Sequence, residues 1–180
     1  MTLAALFLAT AVAGTQLGEF QAGGVASYGT GKPFGRGAGL VVGVAPGRLA
    51  YVGLRWTYHA GVTEQRGPST EVATRVQVFA VDLGLQIPMG RLEVVPGVGV
   101  GMVQFVQRTQ APAGAGSGAS KEFFAAPGIA VEMRAARVAV IPEVQYFLAG
   151  HPELPWSVQR RGLVASVRLV FLAEVRRIRR

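Results

Sequence analysis

Leu49-Ala50-Tyr51-Val52-Gly53-Leu54-Arg55-Trp56-Thr57-Tyr58-His59 alternates without a break. In an extended strand, Ala50, Val52, Leu54, Trp56 and Tyr58 share one face, and Tyr51, Gly53, Arg55, Thr57 and His59 share the other. One face is apolar; the other mixes Gly, polar groups and charge. The same parity recurs downstream. Phe79, Val81, Leu83, Leu85 and Ile87 oppose Val78, Ala80, Asp82, Gly84 and Gln86. Val138, Val140, Val144, Tyr146 and Leu148 oppose Ala139, Ile141, Glu143, Gln145 and Phe147. Leu163, Ala165, Val167, Leu169 and Phe171 oppose Gly162, Val164, Ser166, Arg168 and Val170. Eight such segments span residues 19–28, 36–45, 49–59, 72–87, 92–108, 122–133, 138–148 and 162–175, and none carries a helical stripe.

Composition decides which way these faces point. The chain has 180 residues, 50% apolar and only 16% charged, with 25 Gly, and its mean hydropathy is +0.35. That excludes intrinsic disorder. Apolar stretches beyond the N-terminus, such as residues 94–103, are far short of the roughly 18 residues a spanning helix needs. A soluble sheet would bury its apolar face and cover the other with Lys, Glu, Ser and Thr. Here the second face is too rich in Gly and too poor in charge for that. The inverted reading fits: apolar side chains face lipid, and small and polar ones fill a narrow lumen. Only a closed sheet can cross lipid, because closure satisfies every backbone donor and acceptor. The fold class expected is all-β, an eight-stranded antiparallel up-and-down transmembrane β-barrel. Its rival is a soluble, lipocalin-like barrel whose apolar face lines a cavity for an apolar ligand.

Connection lengths alternate. Tight turns are expected at 46–48, 88–90 and 134–137, and longer loops at 29–35, 60–71, 109–121 and 150–161. That asymmetry implies short periplasmic turns, longer external loops and both termini on the periplasmic side. Residues 111–120, APAGAGSGAS, are low in complexity and read as a mobile loop. Tyr28, Trp56, Tyr58, Phe79, Phe123 and Tyr146 fall on the apolar face in the halves nearer the long loops, as an interfacial girdle would, with Phe20 and Phe171 at the other end. Pro96, Pro127 and Pro142 lie inside proposed strands, where each removes a ladder donor and a bulge would accommodate it.

The ends read differently. Residues 3–13 are apolar and finish in Ala11-Val12-Ala13, a pattern suited to signal peptidase, although no Lys or Arg precedes the run. The expected organisation is a signal peptide at 1–13, the barrel at 14–175 and a basic periplasmic tail at 176–180. The absence of cysteine excludes a disulfide scaffold, a Cys-based zinc site and a Cys nucleophile.

Pro96-Gly97-Val98-Gly99-Val100-Gly101, Pro142-Glu143-Val144-Gln145-Tyr146 and the alternating residues 163–171 together resemble the small eight-stranded outer-membrane β-barrel proteins, the OmpA/OmpX-like, porin-family class. Phe171 looks like that family's terminal aromatic, but Leu172 to Arg180 follow it, whereas family members usually stop at or near the aromatic. The resemblance implies a bacterial outer-membrane protein with a structural or interaction role and a lumen filled by side chains. A narrow passive pore is the alternative.

Arg55, Asp82, Glu93, Glu132, Glu143 and Arg168 fall on the inward face. Buried charges persist only when paired, so a lumenal ion-pair network is expected. Catalysis is not: His59 is followed by Ala60-Gly61 and His151 by Pro152-Glu153, with Ser157 in a loop, and no positioned acid–base partner is in view. Nor do two histidines and scattered carboxylates give a metal-ligand spacing, and no cofactor is expected. The net charge of +8 forms no patch interleaved with aromatics, which argues against nucleic acid. Lys32, Arg66, Lys121, Arg160 and Arg161 could instead meet anionic lipopolysaccharide, and Arg176, Arg177, Arg179 and Arg180 could meet anionic headgroups. A monomer in outer-membrane lipid, its loop partner open, is the expected assembly.

Overall fold

A computed structural model describes residues 18–30, 33–112 and 114–174. The expected signal segment, Lys32 and the arginine tail lie outside the described residues. The strands are β1 (Glu19–Gly29), β2 (Gly35–Ala45), β3 (Ala50–Gln65), β4 (Glu71–Leu85), β5 (Ile87–Met89), β6 (Leu92–Ala111), β7 (Gly114–Ala135), β8 (Val138–Ala149) and β9 (Arg161–Glu174). Every pairing is antiparallel. β1 pairs with β9 and β4 with β6, so the sheet closes on itself. Both β4 and β5 run along β6, with Gly84 opposite Gly97 and Ile87 opposite Val94. They are one stave interrupted at Gln86, so the nine strands make an eight-stranded barrel.

Strand-internal prolines explain the interruptions. Pro96 lies across from the break between β4 and β5, where no ladder pair forms. Pro127 and Pro142 keep their partners Val98 and Val167, but the β7–β8 ladder omits pairs beside both. The register is the same on each side of those gaps, so the expected bulges do not form: each missing donor faces a skipped pair instead. A bulge does occur between His59 and Val62, where β3 shifts against β4. It turns on Gly61, whose φ is +79° and whose absent Cβ would collide with the Thr74 carbonyl.

Three connections differ from the sequence reading. The 88–90 turn is displaced: Pro88 and Met89 pair with Glu93 and Leu92, and the chain reverses at Gly90 and Arg91. The 109–121 loop is instead a hairpin, continuous from Val103↔Glu122 to Ala111↔Gly114. Alternating Gly, Ala and Ser prevented its recognition, yet ladder bonds are made by backbone whatever the side chain. The 60–71 loop likewise shortens, because β3 runs to Gln65 and β4 starts at Glu71. The long side of the barrel is therefore long mainly in projecting strands. Among the described residues, 150–160 remain an extended irregular connection on that side.

The sheet is apolar outside. Leu40, Leu54, Phe79, Leu85, Ile129, Leu163, Leu169 and Phe171 are all exposed, whereas Arg55, Asp82, Glu143 and Arg168 are buried. A soluble carrier barrel would show the opposite arrangement. Among the described residues no helix is long and apolar enough to cross a membrane; the strands are the candidate spans.

Candidate functional site

Inward-facing glycines shape the interior. A Cβ at Gly43 or Gly53 would strike the Tyr51 ring, and one at Gly99 would lie 2.8 Å from Asp82 Oδ1 and 2.9 Å from Arg55 Nη2. Their lack of side chains is what makes room for large polar groups in an eight-stranded barrel, whose bore is only wide enough for side chains.

In the middle of the lumen, Arg55 Nη2 donates to Asp82 Oδ1 at 2.9 Å and to Gln145 Oε1 at 2.8 Å. Arg168 grips Glu143 through Nε at 3.0 Å and Nη2 at 2.6 Å. Ser166 Oγ and Gln145 Nε2 also donate to Glu143, at 3.1 and 2.8 Å. Longer contacts tie the two pairs together, Arg55 to Glu143 at 3.7 Å and Arg168 to Asp82 at 3.6 Å. The Arg168 guanidinium lies 5.7 Å from the Tyr51 ring centre. Two cations face two anions, all buried.

Glu93 and Glu132 join a different group, nearer the short turns. Arg134 contacts Glu19 at 3.0 Å, Glu93 at 3.1 Å and Glu132 at 2.7 Å. Gln86 Nε2 donates to Glu132 at 3.4 Å. Here three carboxylates share one guanidinium. Between the two groups lies a cavity of about 30 Å³, lined by Gln21, Gln86, Glu132 and Glu143 among others, space for one or two waters.

Towards the long hairpins the interior becomes apolar. Phe34, Val76, Val78, Val103, Phe105, Phe124, Phe147 and Val164 form a buried cluster. Phe124 stacks on Phe147 at 4.6 Å, and Phe34 meets Phe147 edge-on at 4.6 Å and His59 at 5.3 Å. Leu154 and Val158, from the β8–β9 connection, pack against this cluster from above. Gln107 holds that connection by donating to the Trp156 carbonyl at 2.9 Å and accepting from its N–H at 3.2 Å. Ser120 Oγ accepts from the Glu153 N–H at 3.2 Å.

The girdle residues Tyr28, Trp56, Phe79, Phe123, Tyr146 and Phe171 are outward and exposed, and Tyr58 is outward and half-buried. Trp56, Phe79, Met102 and Phe123 form one cross-strand row. His59 is buried under Phe34, whereas His151 is exposed in the β8–β9 connection, so the two histidines do not share a site.

The sequence reading did not single out Arg134, which it placed in a turn, or the four inward phenylalanines. Parity alone puts Phe105 in line with Gly99 and Gly101, and Phe147 with Glu143. Phe34 precedes its strand and carries no such signal.

No protein-family model and no curated protein matches the chain. Solved structures do. A major outer membrane protein from Thermus thermophilus is similar, with a TM-score of 0.66 and 13% identity over 87% of this chain and 99% of the other. So is the N-terminal β-barrel domain of Pseudomonas aeruginosa OprF, with a TM-score of 0.52 and 7% identity over 88% of this chain and 100% of that one. Neisserial surface protein A follows, at 0.51 and 9% identity over 88% and 97%. At such identities the likeness is one of fold: this chain has the fold of small eight-stranded outer-membrane barrels.

Proposed function

We propose that the chain is an integral protein of the bacterial outer membrane with both termini periplasmic. Its role is structural or interactive, exercised through the wall and the projecting hairpins rather than by catalysis. The observation that carries this reading is the inversion of the sheet: exposed Leu, Val and Phe outside, buried and paired Arg, Asp and Glu inside. Membrane barrels of this size present an apolar band to lipid and a polar interior. We read the lumen as closed to solutes. The ion-paired middle and the phenylalanine cluster with Leu154 and Val158 across it support that reading. Contact with lipopolysaccharide fits the basic residues at the long-hairpin end, among them Arg66, Lys121, Arg160 and Arg161.

The test is refolding into detergent micelles, followed by gel electrophoresis of boiled and unboiled samples. A heat-dependent mobility shift with a β-type circular dichroism spectrum is expected. Folding in plain buffer with no shift would remove the membrane assignment. For the lumen, planar-bilayer recordings of the refolded protein should show no discrete conductance steps. Reproducible steps would favour the narrow pore.

A further inference from the structure

Arg75, Arg108 and Lys121 lie on exposed positions of β4, β6 and β7. Their parity is that of Phe79, Met102 and Phe123, so all three point away from the barrel axis. Lys121 is one outward position beyond Phe123, Arg75 two beyond Phe79, and Arg108 three beyond Met102. Arg75 is registered with Val106, one outward position from Arg108, and Lys121 with Gln104. The cations therefore share one face of the projecting sheet, one to three outward positions beyond the aromatic row. Among the described residues, none of them has a carboxylate within ion-pairing distance. Directly below them the outer wall is concave. Leu40, Leu54, Trp56, Phe79, Val100 and Met102 line an apolar groove of about 410 Å³.

We propose that this face is a binding site for a phosphorylated, acylated lipid of the outer leaflet. Its phosphates sit on Arg75, Arg108 and Lys121, and an acyl chain lies in the groove beneath Trp56 and Phe79. The site rests on the membrane reading above. Unpaired cations over an apolar groove complement a ligand that is anionic at one end and hydrocarbon at the other. A soluble anion would use only the first half of this surface.

The probe is diphosphorylated lipid A, with its monophosphoryl form for comparison, added to the refolded full chain in nonionic detergent and read by native mass spectrometry. The triple variant R75Q/R108Q/K121Q should bind lipid A about a hundredfold more weakly, about fivefold per charge. Val100→Phe, which fills the groove, should also weaken binding, and the monophosphoryl form should fall between the extremes. R91Q/R137Q removes two exposed bases at the short turns, the opposite end of the barrel from the three cations, and should bind like the parent. Heat-dependent mobility is checked for each variant, so a protein that fails to insert is distinguished from an inserted barrel that lacks the site. Unchanged binding in an inserted triple variant overturns the proposal. So does equal loss in R91Q/R137Q, which indicates diffuse charge. Competition by soluble inorganic pyrophosphate as effective as by lipid, with Val100→Phe without effect, would make the patch a site for soluble anions instead.

Discussion

The two halves of the lumen solve one packing problem with opposite chemistry. Towards the short turns the interior is filled by Arg55, Asp82, Glu143, Arg168 and the Arg134 ring; towards the long hairpins it is filled by Phe34, Phe105, Phe124 and Phe147. Both halves are built on the same strands, which bury one parity through both except where β3 bulges at Gly61. Closure of the sheet fixes which residues point inward and how much room they have. It does not fix whether that room holds ions or rings. An ion quartet must be complete, since each member is held by the others, whereas an apolar cluster can lose a ring and relax around the gap.

The largest break should therefore come from the quartet. Glu143 accepts both Arg168 contacts as well as Ser166 and Gln145. Glu143→Ala leaves two guanidiniums facing Asp82 alone, and the expected loss is about 3–5 kcal/mol. Urea unfolding of the barrel in phospholipid vesicles reads it. Arg55→Ala should lower stability by a similar amount. If both cost under about 1 kcal/mol, the interior is hydrated and the pairs carry little. A sharper version replaces the set together, as R55M/D82L/E143L/R168M. Recovery of most of the lost stability would show that the single variants suffered from a stranded charge, not from loss of an intrinsically stabilising pair.

Phe105→Ala tests the other half and should cost about 3 kcal/mol, set by the cavity that remains. Combined with Glu143→Ala, the two losses should add to within about 0.5 kcal/mol if the halves are independent. Non-additivity well beyond that would mean that strain passes between them through the wall.

How far this division was legible follows from the same geometry. Period-two alternation exposed the outer face in full, because lipid contact asks only that every outward residue be apolar. It also marked Arg55, Asp82, Glu143 and Arg168 as inward. Which inward residues meet is another matter, since that depends on the stagger of eight strands. Glu93 and Glu132 thus grouped with Arg134 rather than with the quartet, though all lie on the inward face. Arg134 escaped notice because β7 continues to Ala135, past its apparent end. The upper cluster was missed because an inward face was expected to be polar. Phe105, Phe124 and Phe147 on that parity contradict a uniform lumen, and the sequence alone could have said so; Phe34, outside the strands, gave no such sign. The hairpin at 109–121 had no comparable signal, as Gly, Ala and Ser alternate with nothing to mark a face.

Arg134→Ala should cost less than the quartet variants. Its side chain is 21% exposed and the ring opens towards the short turns, where water and salt reach it. The expected loss is about 1–2 kcal/mol, diminishing as salt is raised, because screening offsets the repulsion among Glu19, Glu93 and Glu132. The same titration applied to Glu143→Ala should show little salt dependence. Equal responses would erase the distinction between a buried quartet and an open ring.

The smallest effect belongs to the connection over the apolar half. Gln107 makes two bonds to the Trp156 backbone, and Gln107→Ala removes both at a cost of about 1 kcal/mol. Leu154 and Val158 still rest on the phenylalanine cluster in that variant, so the barrel should keep its heat-dependent mobility. The change should be local. With Trp56 replaced by Phe, Trp156 is the sole tryptophan, and its emission reports on the connection directly. A red shift and faster proteolysis within residues 150–160, with the unfolding midpoint almost unmoved, would show that the connection is held separately from the barrel. If emission and cleavage are unchanged, packing of Leu154 and Val158 alone fixes the connection. If the midpoint falls as far as in Phe105→Ala, the connection belongs to the apolar core itself.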